Sequence, residues 1–469
     1  MNWFWLSYLC LIPLLYSLHS AKTARACFRV GYIYGVVFMG GFHLWIFAIR
    51  PWTNWGGVLS LWLAFTLFQA LFYGIMGGLF GLTKGILRPY IGFPVAWIIG
   101  EWLRSLGPLG STGGWLGYTQ TGAPLILQTA SIWGTLGLTA LCVTVNWMIA
   151  SLVYTSFEQL SMRWAKIVSG VVISVTLLIL IPSAVIDSRP AIPVAVVQGN
   201  HTQHNKQQRK YWPMIKRDYL SLTRTIPNQS WVFWPETVIP TVRKDPSWVK
   251  SIDQLGSGKQ LSLFLGSPVK ENGDYYNTVL VDTPSQPLSV IYRKQQLMPF
   301  GEYLPSRDLF RKFKLARHLL DGADYSPATP GPISTVNGIK VGSGICLESI
   351  YPSLFRAQTL SGAEVLTVYA NNAWFFDSSA AAKHLQMSQL RAVENRRYLV
   401  QSANTGLSAI IDPFGAVKEV SELNKRAILT GTIHPISTLS FFSKYGHWLV
   451  VSAWMLLGVS FGRRWWTSI

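Results

Sequence analysis

At 469 residues the chain exceeds one ordinary domain, and 49% hydrophobic against 13% charged residues excludes a purely soluble protein. Its 40 Lys and Arg against 21 Asp and Glu leave a net charge of +19, which calls for an anionic partner. No nucleic-acid motif accompanies that charge, so nucleic acid is set aside in favour of a phospholipid surface.

Apolar runs approaching the roughly 20 residues of a bilayer span occur at residues 3–18, 30–49, 58–82, 91–106, 124–153, 167–186 and 448–461. The first is not read as a cleaved leader, because no Lys or Arg precedes it while Lys22, Arg25 and Arg29 follow. Lys84 with Arg88, Arg163 with Lys166, and Arg463 with Arg464 fall in every second connection. Positive-inside bias therefore places residues 187–440 outside the cytoplasm, between a membrane domain of six spans at 1–186 and a last span with a short tail at 441–469. Glu101 and Arg104 stand three residues apart in the fourth run and can neutralise each other, either as a lock between helices or as the lining of a path for a lipid headgroup.

From Arg189 the composition changes to short alternating elements. Strands are expected at 192–198, 231–234, 261–265, 278–281, 340–345, 364–369, 399–403, 408–411 and 427–433, and helices at 214–224, 246–255, 352–360 and 380–397. This is an α/β pattern of helices packed on layered sheets. His384, Met387, Arg391 and Glu394 share one face of the last helix, where the charged pair reads as scaffold. No metal-ligand spacing occurs, and the eight histidines are scattered. Of the four cysteines, Cys10, Cys27 and Cys142 lie in or beside apolar runs, so Cys346 has no disulfide partner in its own half.

Cys346 ends the strand-like run from Val341, and Glu348 follows two residues later. A thiol where a strand opens into a loop is well placed to be a nucleophile, although a buried cysteine is as often a small hydrophobe. Trp234-Pro235-Glu236 puts a carboxylate just past another apolar strand, and Lys294 opens the stretch Lys-Gln-Gln-Leu-Met-Pro-Phe-Gly-Glu302-Tyr-Leu-Pro. With Asn371-Asn372-Ala-Trp-Phe375, these motifs resemble the apolipoprotein N-acyltransferase family, the membrane-bound branch of the nitrilase superfamily, over nearly the whole chain.

That resemblance implies a four-layer αββα sandwich beside a multi-span helical membrane domain. It also implies a Glu236, Lys294 and Cys346 triad. In chemical terms Glu236 takes the thiol proton, Lys294 holds the oxyanion, and Cys346 carries the acyl group as a thioester. Glu302 and Glu348 match family positions near the Lys and the thiol, where they orient the site, balance its charge or form a structural salt bridge. Asn371 and Asn372 position substrate or make a turn. The expected reaction moves a fatty acyl chain from a membrane phospholipid to the α-amine of diacylglyceryl-cysteine on an apolipoprotein, with no metal or organic cofactor. The expected setting is a monomer in the bacterial inner membrane, with its catalytic domain in the periplasm. A membrane-tethered nitrilase or amidase acting on a small C–N substrate is the enzymatic alternative; a transporter or receptor with an inert domain is the other.

The chain departs from the family pattern at Leu347, where Tyr is common, at Gln207, where Trp is, and at Phe376, where Gly is. The resemblance implies eight spans against the seven runs read here, and the span expected to be lacking is the first. Residues 307–320 read as a basic amphipathic helix, expected either to pack on the domain core or to lie in the membrane interface as a lid.

Overall fold

The computed structural model describes residues 3–83, 91–153, 190–238, 245–304, 325–376 and 378–468. The expected span at 167–186 and the amphipathic segment at 307–320 lie outside these residues. The chain forms two compact units, Met1–Ala184 with Ser440–Ile469, and Val185–Leu439.

The first unit is helical: α1 Ile12–Ser20, α2 Ala24–Phe42, α3 Trp55–Leu82, α4 Gly92–Arg104, α5 Pro124–Leu127, α6 Ala130–Val153 and, after the second unit, α12 Phe441–Tyr445 and α13 Trp448–Ser468. Among the described residues three stretches are long and apolar enough to cross a membrane, at Ala24–Trp52, Trp55–Leu82 and Ala130–Ser151. Thr23 and Asn54 cap α2 and α3 by accepting from the Ala26 and Gly57 N–H groups.

Three of the expected spans take other forms. The first is broken into a 3-10 turn, Phe4–Tyr8, and α1. The break is met by Asn146 of α6, whose amide donates to the Ser7 carbonyl at 2.7 Å and accepts from the Leu11 N–H at 2.8 Å. The run at 91–106 becomes α4, whose 13 residues rise only about 20 Å. The run at 124–153 is interrupted between α5 and α6, and α6 is itself kinked where Gly134 adopts φ 68°. The last run, 448–461, lies within the continuous helix α13 Trp448–Ser468.

In α4, Arg104 donates twice to Glu101 Oε2, at 2.7 and 3.1 Å, and reaches Gln69 of α3 and the Gly113 carbonyl at 3.2 and 2.8 Å. Both charged side chains are 0% exposed, which is the helix-locking arrangement. α2 and α3 approach backbone to backbone, because a Cβ on Gly77 would collide with the Cys27 carbonyl.

The second unit holds two six-stranded sheets, ordered β12-β1-β2-β3-β4-β5 and β11-β10-β9-β8-β7-β6. The strands are β1 Ile192–Gln198, β2 Trp231–Phe233, β3 Ser262–Glu271, β4 Asp274–Thr283, β5 Gln286–Arg293, β6 Ser334–Val336, β7 Ile339–Ile345, β8 Val365–Ala370, β9 Leu399–Ala403, β10 Ala409–Ile411, β11 Val417–Val420 and β12 Ala427–Ile433. β1, β2 and β3 run parallel, as do β7, β8 and β9. The helices between them are α7 Gln203–Gln207, α8 Trp212–Arg224, α9 Pro246–Lys259, α10 Pro352–Leu360 and α11 Ala380–Asn395.

Side-chain alternation sorts the layers. Val194, Val196, Trp231, Phe233, Val279 and Val281 of one sheet meet Val341, Ile345, Val365, Tyr369 and Val400 of the other. The opposite faces carry Ala195, Val197 and Val232 under Ile215, Tyr219 and Ile252 of α8 and α9, and Leu366 and Val368 under Phe355 and Ala392 of α10 and α11. The result is an αββα sandwich. Within α11 the Arg391–Glu394 pair closes at 2.8 Å, with both side chains 0% exposed.

Replacing Gly77 by Leu is expected to separate α2 from α3 and to lower the melting temperature of the detergent-solubilised protein, whereas Gly78→Leu, which meets only Phe28 side-chain atoms at 3.7 Å, lowers it less.

Candidate active site

The loops that follow β1, β2, β5, β7, β8 and β9 carry the chemistry. β2 stops at Phe233 because Pro235 lacks the N–H a further ladder bond needs. Trp234 is pinned in the outer layer by its indole N–H on Thr223 Oγ1 at 3.0 Å, so Glu236 turns to the other side. The turn crosses directly over Gly266 of β3, where a Cβ would stand 2.6 Å from the Glu236 Cα. Only glycine leaves that passage open.

Glu236, buried at 7% exposure, places Oε1 2.8 Å from the Asn277 amide nitrogen and 3.8 Å from Lys294 Nζ. The same Asn277 nitrogen donates to Glu302 Oε1 at 2.8 Å, and Lys294 Nζ lies 2.8 Å from Glu302 Oε2. Asn277 thus spends both its side-chain N–H groups on two carboxylates, while its main-chain carbonyl accepts the Lys294 main-chain N–H at 2.9 Å. Glu302 Oε2 also accepts the Met298 N–H at 2.8 Å, which closes the Pro-Phe-Gly-Glu loop on itself.

Burial opposes the charge of Lys294, but Glu302 and then Glu236 outweigh it and hold the ammonium well above its ordinary pKa. Glu236 is raised by burial, partly countered by Lys294. Glu236 thus lies beside a fixed cation yet is held closer to neutrality than an ordinary carboxylate, which suits it to taking a proton.

Cys346 opens the 3-10 turn Cys346–Ile350 at the end of β7 with φ 52°. A non-glycine residue held left-handed costs about 1–2 kcal/mol, and the geometry turns its side chain sharply out of the strand direction. Burial, then Glu236, push the thiol up, while Lys294 and the Asn371 backbone N–H pull it down. Glu236, Lys294 and Cys346 therefore act electrostatically on one another, the first two from one sheet and the third from the other.

Glu348 accepts from Tyr292 Oη at 2.8 Å, the Gln295 N–H at 2.8 Å, the Gln296 N–H at 3.0 Å and the Ile345 N–H at 2.7 Å. Burial pushes it up to about 7, against the pull of Lys294 and of the Gln296, Ile345 and Gln295 N–H groups. Its contacts tie the strand before Cys346 to the residues after Lys294, so it aligns the two sheets' contributions.

Asn371 follows β8, donates to Gln203 Oε1 at 2.9 Å and accepts from Asn404 at 3.1 Å. Asn372 lies 3.3 Å from His384 Nδ1, and its Oδ1 is buried without a partner. His384, expected on a scaffold face, belongs to this surround; burial and then the Lys294 charge lower it to about 4. Of the three departures, Leu347 is half-buried, Gln207 is exposed on α7, and Phe376 is 48% exposed with φ 45°, the backbone of the glycine common there in the resembled family.

Sequence reasoning missed Asn277, Tyr292, Asn404 and Lys206. Only Tyr292 had a signal, since it heads the Tyr-Arg-Lys stretch.

Two packed sheets whose strand ends gather a cysteine, a glutamate and a lysine define the carbon-nitrogen hydrolase class, and the family model described as Carbon-nitrogen hydrolase matches residues 193–438. The model described as Apolipoprotein N-acyltransferase N-terminal domain matches residues 1–148. An apolipoprotein N-acyltransferase of Geobacter metallireducens is 30% identical over 96% of this chain and 88% of its own length, and one of Coxiella burnetii 28% identical over 96% and 93%. Among solved structures, a CN-hydrolase superfamily protein of Xanthomonas campestris matches 52% of this chain and 91% of its own with a TM-score of 0.41 at 17% identity. The chain belongs to the apolipoprotein N-acyltransferase family.

Asn277→Leu removes one donor from each of two carboxylates. Glu236 is then expected to titrate at higher pH, seen as a protonated-carboxyl infrared band persisting to higher pH and absent from the Asn277→Leu, Glu236→Gln double variant.

Proposed function

We propose that this protein is a membrane acyltransferase of ping-pong type. Cys346 Sγ attacks the ester carbonyl of a membrane phospholipid while Glu236 takes the thiol proton and Lys294 stabilises the oxyanion. The intermediate expels the glycerol oxygen, which recovers the proton from Glu236 and leaves as a lysophospholipid. The α-amine of an apolipoprotein's diacylglyceryl-cysteine then attacks the thioester. It gives its proton to Glu236, and the amide forms as the thiolate leaves. No step calls on a metal or an organic cofactor.

The observation that carries the reading is the Glu236–Lys294 pair, 3.8 Å apart and acting electrostatically on the buried Cys346 thiol, in a chain whose relatives bear that name along nearly their full length. The matched N-terminal domain supports lipid substrates over a small soluble C–N compound, because donor and acceptor both hold acyl chains that are costly to move into water. The charge alternation of the connections supports a catalytic unit on the periplasmic face of the inner membrane. A monomer suffices for this chemistry, since all three groups come from one chain.

Incubation with phospholipid followed by intact mass measurement is the test. The parent protein gains one acyl group on Cys346, Cys346→Ala gains none, and Cys346→Ser retains at most a trace. Glu236→Gln slows adduct formation about 10²- to 10⁴-fold, and Lys294→Met loses about 2.7–4 kcal/mol of transition-state stabilisation. Because the base acts ionised and burial raises it, the parent's rate falls as pH drops through a value above the ordinary carboxylate range. An unchanged adduct in Cys346→Ala overturns the reading.

Orientation is checked separately. A reporter fused after Asn200 is expected to be active outside the cytoplasm and one fused at Lys166 inside; the reverse pattern removes the site from exported lipoproteins.

A further inference from the structure

Lys206 sits on α7, in the connection after β1, with 3% of its surface exposed. Its ammonium donates to the main-chain carbonyl of Glu236 at 3.2 Å, its single acceptor among the described residues. Two of its three N–H groups are therefore left over.

The short helix that carries it is tied down on several sides. Thr202 caps it through the Asn205 N–H at 3.2 Å, and Gln203 accepts from Asn371. Next to it, His201 and Asn404 exchange two bonds, His201 N–H to Asn404 Oδ1 at 3.1 Å and Asn404 Nδ2 to the His201 carbonyl at 2.6 Å. A lysine this buried is costly unless its charge has a counterpart.

Counting charges around the thiol identifies that counterpart. Lys294 is matched by Glu302 at 2.8 Å. Glu348 is met by its own donors. Glu236 therefore shares Lys294, at 3.8 Å, with the closer Glu302, and Lys206 is the second cation acting on it. When Glu236 takes the thiol proton, the negative charge moves to Sγ, and Lys206 acts on both positions.

We propose that Lys206 is a second cation of the active site, a positioning residue that holds the Glu236 main chain and whose charge favours the Cys346 thiolate. The inference rests on the reading of Cys346 as the nucleophile. The groups acting on Lys206 are Glu236 from the β2 loop and Cys346 from the end of β7, with His201 beside it from the β1 loop. Burial lowers Lys206 to about 7, against the pull of Glu236 and Cys346; His201, lowered by burial to about 4, is neutral where Lys206 titrates. The lysine charge is thus present below about pH 7 and is lost as pH rises through that value.

The test is the rate of alkylation of the Cys346 peptide by iodoacetamide against pH, in full-length parent protein and in Lys206→Arg, Lys206→Gln and Lys206→Met, with melting temperatures recorded. Gln keeps a donor for the carbonyl without the charge, and Arg keeps the charge. The expected result is that Gln and Met are alkylated about tenfold more slowly below pH 7, equivalent to about one pKa unit, that the deficit shrinks above pH 7, and that Arg follows the parent. A Gln variant that follows the parent while Met does not overturns the charge role in favour of the hydrogen bond alone. Unchanged profiles in all three, with or without a lowered melting temperature, overturn it in favour of packing. A parent protein whose Cys346 is alkylated but never acylated by phospholipid refutes the proposed function and leaves this inference standing.

Discussion

The site depends on a buried network in which one asparagine and one lysine are shared by two carboxylates. Asn277 lies between Glu236 and Glu302, and Lys294 faces both. Charges taken out of water survive only when each is met by an opposite charge or a hydrogen bond. Here the arrangement holds an ammonium beside a carboxylate, as the proposed reaction needs for one to accept a proton while the other stabilises a developing oxyanion.

The sandwich supplies that network with fixed positions. Asn277 belongs to the interior of β4, and Lys294 immediately follows β5, so both ride on ladder hydrogen bonds rather than on a free loop. Cys346 comes from the other sheet, and the inter-sheet core that includes Phe233, Val279 and Ile345 sets its distance from the base. Glu348 then bridges the two sheets at the thiol. Close packing makes this spacing resistant to drift, since core side chains yield little without losing contacts.

Much of this was legible in the sequence, for reasons particular to each residue. β1, β9 and β12 lie where their apolar runs end, and Glu236 and Cys346 stand just beyond such runs. β5, β6 and β11 were not foreseen; all three are sheet edges, where half-exposed side chains blur the alternation. Asn277 gives no sign in one dimension, because its importance comes from a neighbouring strand's end. Lys206 is hidden in the polar stretch His201 to Lys210, which reads as solvated until α7 folds it inward. In the helical unit hydropathy found the apolar segments but not their breaks, since an asparagine 135 residues away satisfies the interruption at Leu11.

The commitment of Glu236 Oε1 to Asn277 has a stereochemical consequence. Among the described residues Oε2 has no hydrogen-bond partner, so in the proposed mechanism this carboxylate would exchange protons through that oxygen. On the proposed reaction, the departing glycerol oxygen and the arriving amine nitrogen must then occupy the same berth on the same face of the acyl carbon, one after the other. Donor and acceptor compete for a single address. On that reaction the acyl-enzyme would stay shut to its second substrate until the lysophospholipid has vacated it.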